Sequence, residues 1–367
     1  MGGIDMANGI VGAVIGMLFA VLFQQPLQDS WFKVRRRWSA VLRSRRFRDE
    51  PDASWATFAL GPLRTSALIV EGDGETPISP PSVHIQVLDD EVVLPSEITH
   101  WREEIEAESA RLRAEGKNPI WNGPRYAVES FAVSRTPLDE QPEVRLRLRP
   151  TDYYTFLAAQ QLDRRLPDGT TLRSRYLDPD RPLEAPAFLQ CSLGVNIAVV
   201  TADDLLVVSR RSDQVRMAPG TWNSSVNEGV SRHIDSSGRS APVLHSVAQR
   251  GMREELALEP HEYSLELLAF VLDVEKRQWS AHFYARLHDL TAQGLRSRLS
   301  RGVADRWEHQ TIDLVPFRAA TVAGYLLHTD RVHRWAPTAP ALFHLALVHV
   351  HGRAAVERAE AQVVRRH

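Results

Sequence analysis

The sequence predicts an α/β protein carried behind an N-terminal apolar helix. Three observations predict it: an uncharged run from Met6 to Phe23, period-2 apolar stretches that recur along the chain, and amphipathic 3.6-period segments between them. At 367 residues the chain has room for one large domain or two modest ones, and 43% apolar with 25% charged residues is ordinary for a globular protein. A net charge of −2 gives no general attraction to nucleic acid, so none is expected as a partner. The single cysteine, Cys191, excludes an intrachain disulfide framework and a cysteine-rich zinc site, and fits a reducing compartment.

The first element is the run MANGIVGAVIGMLFAVLF, residues 6–23, in which Asn8 is the only clearly polar side chain. As a helix it spans about 27 Å, close to the hydrocarbon core of a bilayer. Trp31 and Phe32 follow as interfacial aromatics, and eight basic residues with no acidic one lie between Lys33 and Arg48. Positive flanks stay inside, so a single-pass anchor is expected, with everything after residue 30 in the cytoplasm. No basic residue precedes the run, which argues against a cleaved signal peptide. Gly12 and Gly16 form a small-residue face through which two such helices would pair. This gives an anchor at 1–30 and a basic juxtamembrane linker at 31–50.

Residues 51–190 read as an accessory α+β region. Val83, Ile85 and Val87 alternate with polar residues as a strand does, and so do Val144, Leu146 and Leu148 between arginines. Ser96 is placed as the cap of a charged helix ending at Gly116, Asn118–Arg125 (NPIWNGPR) reads as turn-rich, and Thr151–Gln161 as a short helix. Leu166–Pro186 reads as a proline-rich connector. Gly194–Thr201 and Leu205–Ser209 then form a hairpin around Asp203-Asp204. Val243, Val247, Met252 and Leu256 set a helix over 243–258, followed by strands at 265–274 and 282–287. The tail beyond Thr321 is helical, and its apolar stretch 342–350 is too short to span a membrane.

The chemistry concentrates at Arg250-Gly251-Met252-Arg253-Glu254-Glu255. On a helix Arg250 and Glu254 lie one turn apart and can pair. Adjacent carboxylates beside an arginine are hard oxygen donors suited to Mg²⁺ or Mn²⁺. Such an ion neutralises a pyrophosphate and lowers the pKa of an attacking water. P-loop and dinucleotide-binding glycine motifs are absent, as is a serine nucleophile elbow.

The segment Arg250–Leu258 resembles the second half of the Nudix box. Arg250, Met252, Glu254, Glu255 and Leu258 occupy its arginine, aliphatic and paired-glutamate positions. The order of elements over 193–317 is similar too: hairpin, glycine-containing loop, helix, two strands, and an acidic segment at 305–308. The departures are Gly251 where the box has a glutamate, Ala257 where it has a glycine, and, counting from Gly229, Asp235 in place of its first glutamate, with a polar insertion before Arg250. The resemblance implies a Nudix-like α/β/α sandwich with a mixed sheet over 191–320, followed by C-terminal helices at 321–367. It implies Mg²⁺ or Mn²⁺ held by Glu254 and Glu255, with Glu308, Asp235 or Glu228 supplying a further carboxylate, and catalysis by Arg250, Glu254 and Glu255. Arg211 would meet phosphate and Trp222 would stack on a base or sugar, with Glu228 and Gly229 lining the ligand. The expected function is a membrane-tethered hydrolase of a nucleoside-diphosphate-linked compound. The alternative is an inactive nucleotide sensor in a bacterial signalling or defence system.

Overall fold

The computed structural model describes residues 57–137, 140–211, 220–236, 241–301 and 309–366. The expected anchor at 6–23, the basic linker and Glu308 lie outside the described residues. Among the described residues no helix is long and apolar enough to cross a membrane.

The described chain starts with the short strands β1 (Ala59–Leu60) and β2 (Leu63–Arg64), then β3 (Ala67–Glu71) and β4 (Val83–Val87). Helix α1 (Ser96–Ala114) follows, its buried stripe Ile98, Trp101 and Ile105 repeating at helical spacing. Pro95, not Ser96, occupies its N-cap. Strands β5 (Pro124–Arg135) and β6 (Pro142–Asp152) pair antiparallel, β4 runs parallel to β6, and the three form a small sheet. Helix α2 (Tyr153–Ala159) is capped by Asp152, whose carboxylate accepts from the Thr155 amide at 2.7 Å. The segment read as a connector contains a further short helix, α3 (Leu172–Tyr176), capped by Thr171. A core of Trp101, Ile105, Phe156, Leu172 and Leu189 binds these elements together.

The main sheet is built from β7 (Leu193–Val200), β8 (Leu205–Arg211), β9 (Trp222–Asn223), β10 (Val226–Gly229), β11 (Tyr263–Asp273), β12 (Gln278–Leu287) and β13 (His309–Pro316). Its path is β13-β8-β7-β12-β11-β3, with β10 on β7 and β9 on β8. The β7–β12 pair is parallel and its neighbours are antiparallel, so the sheet is mixed as expected. Between β10 and β11 come the one-turn helix α4 (Arg232–Asp235) and helix α5 (Leu244–Leu256). Then α6 (Ala292–Ser300), α7 (Ala319–Leu326), α8 (Ala339–His351) and α9 (Arg353–Val364) complete the chain.

Alternation along β7 and β12 sorts two faces. Ala198, Val200 and Tyr284 join a core with Leu342, Phe343 and Ala346 of α8. On the other side, the ring of Phe283 meets His245 of α5, with centroids 4.9 Å apart. Helices thus cover both faces. Each β7 side chain is buried on one or the other, which is why the strand reads as a continuous apolar run. The region read as accessory also contributes to this body: β3 pairs with β11, and Leu60, Leu63 and Ala67 lie in the α8-side core.

Candidate functional site

Helix α5 buries Leu244, Val247, Ala248, Gly251, Met252 and Leu256, the stripe that fixes its rotation on the sheet. That rotation turns Glu255 inward, 2% exposed, where its Oε1 accepts from the Asn227 amide of β10 at 3.0 Å. Glu254, one residue earlier, lies a further 100° round the helix with its side chain 35% exposed. The two carboxylates therefore divide: Glu255 shares the sheet-facing side with Gly251, and Glu254 stands at the rim beside Arg250.

Arg250 is the hub. Its guanidinium meets Glu228 Oε1 at 2.9 Å and Glu254 Oε2 at 3.4 Å. It takes Asp235 through two nitrogens, Nε at 3.2 Å and Nη2 at 2.9 Å, and Nη2 also donates to the Gly229 carbonyl at 2.9 Å. These contacts hold Arg250 well above the ordinary range for arginine; burial opposes that shift, and the Asp235 hydrogen bonds and the nearby Glu228 charge overcome it. Arg250 and Glu254 thus pair one helical turn apart. Asp235, read as a metal ligand, accepts from Arg250 and from the Ser231 amide at 2.6 Å.

Glu228 enters from the sheet. Its strand β10 pairs with β7 in the register Glu228↔Val195, which turns the side chain toward α5. Gly229, read as part of a loop, is the last residue of that strand, opposite Gly194. A β-carbon at Gly251 would lie 2.9 Å from both Glu228 Cβ and Val226 Cγ1. The Glu228 side chain thus fills the space that any side chain at 251 would enter. Burial pushes the Glu228 carboxyl up to about 8; the charges of Glu255 and Glu254 add to the shift, and Arg250 opposes it.

Other expected residues fall elsewhere. Trp222 packs beside Tyr325 and Trp335, with Arg331 over its ring at 5.1 Å. It is half-buried and packs against the α8-side core, away from the carboxylate cluster. Its placement follows from pairing with Arg210 of β8, which sets the ring on that side. Arg211 ends β8 opposite His309.

Sequence reading missed Arg125, the second residue of β5, which points at Gly229. It also missed Tyr126, whose hydroxyl meets Ser236 Oγ at 2.7 Å and ties the small sheet to the chain after α4. Their local sequence signals only a turn; the strand that aims them forms by pairing with β6, a partner seen only in the fold.

Carboxylate oxygens are the donors a hard divalent cation takes, and Glu228, Glu254 and Glu255 provide them around one helix turn. Among the described residues no three carboxylates, histidines or cysteines converge as a ready ion site. Arg250 bridges Glu228 and Glu254 in this arrangement.

No family model matches the chain. The chain is 30% identical over 210 residues to the mouse protein "Uridine diphosphate glucose pyrophosphatase NUDT22", covering 53% of this chain and 65% of the mouse protein. It is 35% identical over 101 residues to the bovine protein of the same name, covering 28% of this chain and 32% of that one. Each match spans less than two thirds of the relative's length. Among solved structures, DR0079 of Deinococcus radiodurans aligns with 41% of this chain and 81% of its own, at 14% identity and a TM-score of 0.31. The two mammalian relatives are Nudix hydrolases, and their similarity supports the Nudix resemblance carried by Arg250–Leu258.

Proposed function

We propose that this chain hydrolyses the diphosphate bond of a nucleoside-diphosphate-linked compound, a UDP-sugar by its similarity to the mouse and bovine pyrophosphatases. The supporting observation is the packing of α5 on β10, which sets Glu228 and Glu254 on Arg250 and buries Glu255 on the adjacent face of the same helix, against the Asn227 amide. In this reading Glu254 and Glu255 hold Mg²⁺ or Mn²⁺, and Glu228 provides from the strand the carboxylate that Gly251 lacks. The ion, when bound, polarises the phosphoryl oxygens and eases ionisation of water. Arg250 keeps Glu254 and Glu228 aimed at one place, and Asp235 keeps Arg250 there. Overall, a water oxygen bonds to phosphorus, the bond to the bridging oxygen breaks, and two monophosphates leave, with two protons released when both products are dianions.

The test is incubation with UDP-glucose and Mg²⁺, measuring release of UMP and glucose 1-phosphate. Release by the wild type, lost by more than about a hundredfold in Glu254→Gln and Glu255→Gln, is the expected result. Binding of UDP-glucose without turnover in Mg²⁺ or Mn²⁺ overturns the hydrolase reading and selects the nucleotide sensor. Arg250 already bridging two carboxylates, with Gly251 in place of glutamate, is what favours that second reading.

A further inference from the structure

We infer that Arg125, supplied by the small sheet and not by the helix carrying the glutamates, is the residue that grips a phosphate of the ligand; the inference rests on the diphosphate reading above. Arg125 is half-buried, and its Nε is shut off from solvent without a hydrogen-bond partner. Among the described residues no carboxylate pairs with it, whereas Arg250 nearby is matched by three. A guanidinium partly cut off from water and without an anion is an unfavourable arrangement that a bound anion would relieve. Burial accordingly pulls its pKa below the ordinary arginine value, although the group stays charged at any working pH.

The surroundings hold the group in place without satisfying it. The guanidinium carbon lies 4.7 Å from the Tyr153 ring centre and 5.7 Å from that of Phe156, so two aromatic rings flank the group. Its Nη1 lies 3.3 Å from where a β-carbon on Gly229 would stand, and Glu228 is the acidic neighbour whose charge it senses. Gly229 is also the residue whose carbonyl receives Arg250. Arg125 therefore ends beside the carboxylate cluster, with its fork of donors open. A planar fork of that kind matches a phosphate in a two-point, charge-assisted contact. The carboxylates and Arg125 then address opposite needs of one ligand: a cation-bridged diphosphate on one side and direct anion contact on the other.

The test uses the full chain and separates binding from turnover. Arg125→Met keeps the stem and the packing on Tyr153 and Phe156 but removes the fork, and Arg125→Lys keeps charge without geometry. Thermal shift with inorganic pyrophosphate, without divalent metal, reads the anion contact alone. Expected is a pyrophosphate affinity about tenfold or more weaker in Arg125→Met and partly recovered in Arg125→Lys, with the ligand-free Tm changed by about 2 °C or less. With UDP-glucose and Mg²⁺, KM rises about tenfold while kcat changes less. Unaltered pyrophosphate affinity in Arg125→Met, or no pyrophosphate binding by the wild type, overturns the inference, even if hydrolysis proceeds. A wild type that never hydrolyses UDP-glucose but loses pyrophosphate binding with Arg125→Met retains the anion site and rejects only the hydrolase reading.

Discussion

Ala257 ends α5 in the left-handed conformation, φ 53° and ψ 40°, where a β-carbon crowds the backbone. Its amide closes the helix on the Arg253 and Met252 carbonyls. This is the position at which the box carries glycine, and the geometry gives the reason. Ala257→Gly is expected to stabilise the protein by about 0.5–1 kcal/mol, because relief of strain exceeds the added freedom of the unfolded chain. Chemical denaturation checks it. Gly251 behaves in the opposite sense. The 2.9 Å approaches to Glu228 and Val226 leave no room for a methyl group, so Gly251→Ala is expected to cost about 1–3 kcal/mol in the same assay. A Gly251→Ala protein as stable as wild type would show that β10 yields easily and that Glu228 is not pressed against the helix.

At the scale of elements, β10 and α5 form the packed unit that carries the proposed site. They meet through a glycine on one side and a glutamate on the other, with Asn227 tying the strand backbone to Glu255. Burial between them raises Glu228 to about 8, above its value in the unfolded chain. The sign follows from linkage: the stability Glu228 contributes is fully present below the unfolded carboxyl value near 4.3 and is lost as pH rises through about 8. In metal-free buffer, Tm is expected to fall by roughly 5 °C between pH 6 and pH 9 on this account, and Glu228→Gln should flatten that slope. An unchanged slope in Glu228→Gln would assign the pH dependence to another group. Packing of the same helix is tested at Met252, fully buried against the sheet: Met252→Ala is expected to cost about 2–5 kcal/mol.

For the whole molecule, the main sheet and the small sheet both border the proposed site. The carboxylates come from α5 and β10, while Arg125, Tyr126 and the Tyr153 ring come from the small sheet and the helix after it. A separate proposal concerns residues 6–23, which we read from their sequence as an anchor. The full chain expressed with membranes is then expected in the membrane fraction, resistant to salt and carbonate washing. Removal of residues 1–48 is expected to release it. A full chain that washes off with salt would reduce the basic stretch to a surface contact and remove the anchor.

The sequence by itself determined the helix over α5, the β7–β8 hairpin, the strands β11 and β12 and the apolar C-terminal helices, because each has a long apolar period set by its own burial. It also determined that Arg250 and Glu254 lie within reach of each other, since residues four apart on one helix are brought together by its pitch. Only the tertiary structure decided which carboxylates meet Arg250. Glu228 and Asp235 lie 22 and 15 residues away in sequence, and the pairing of β10 with β7 aims Glu228. It likewise packed the half-buried Trp222 against the α8-side core and brought Arg125 beside Gly229. The physical reason is common to all of these: an isolated aromatic or guanidinium carries no period of its own, and its direction is set by the strand that pairs with it, often from far along the chain.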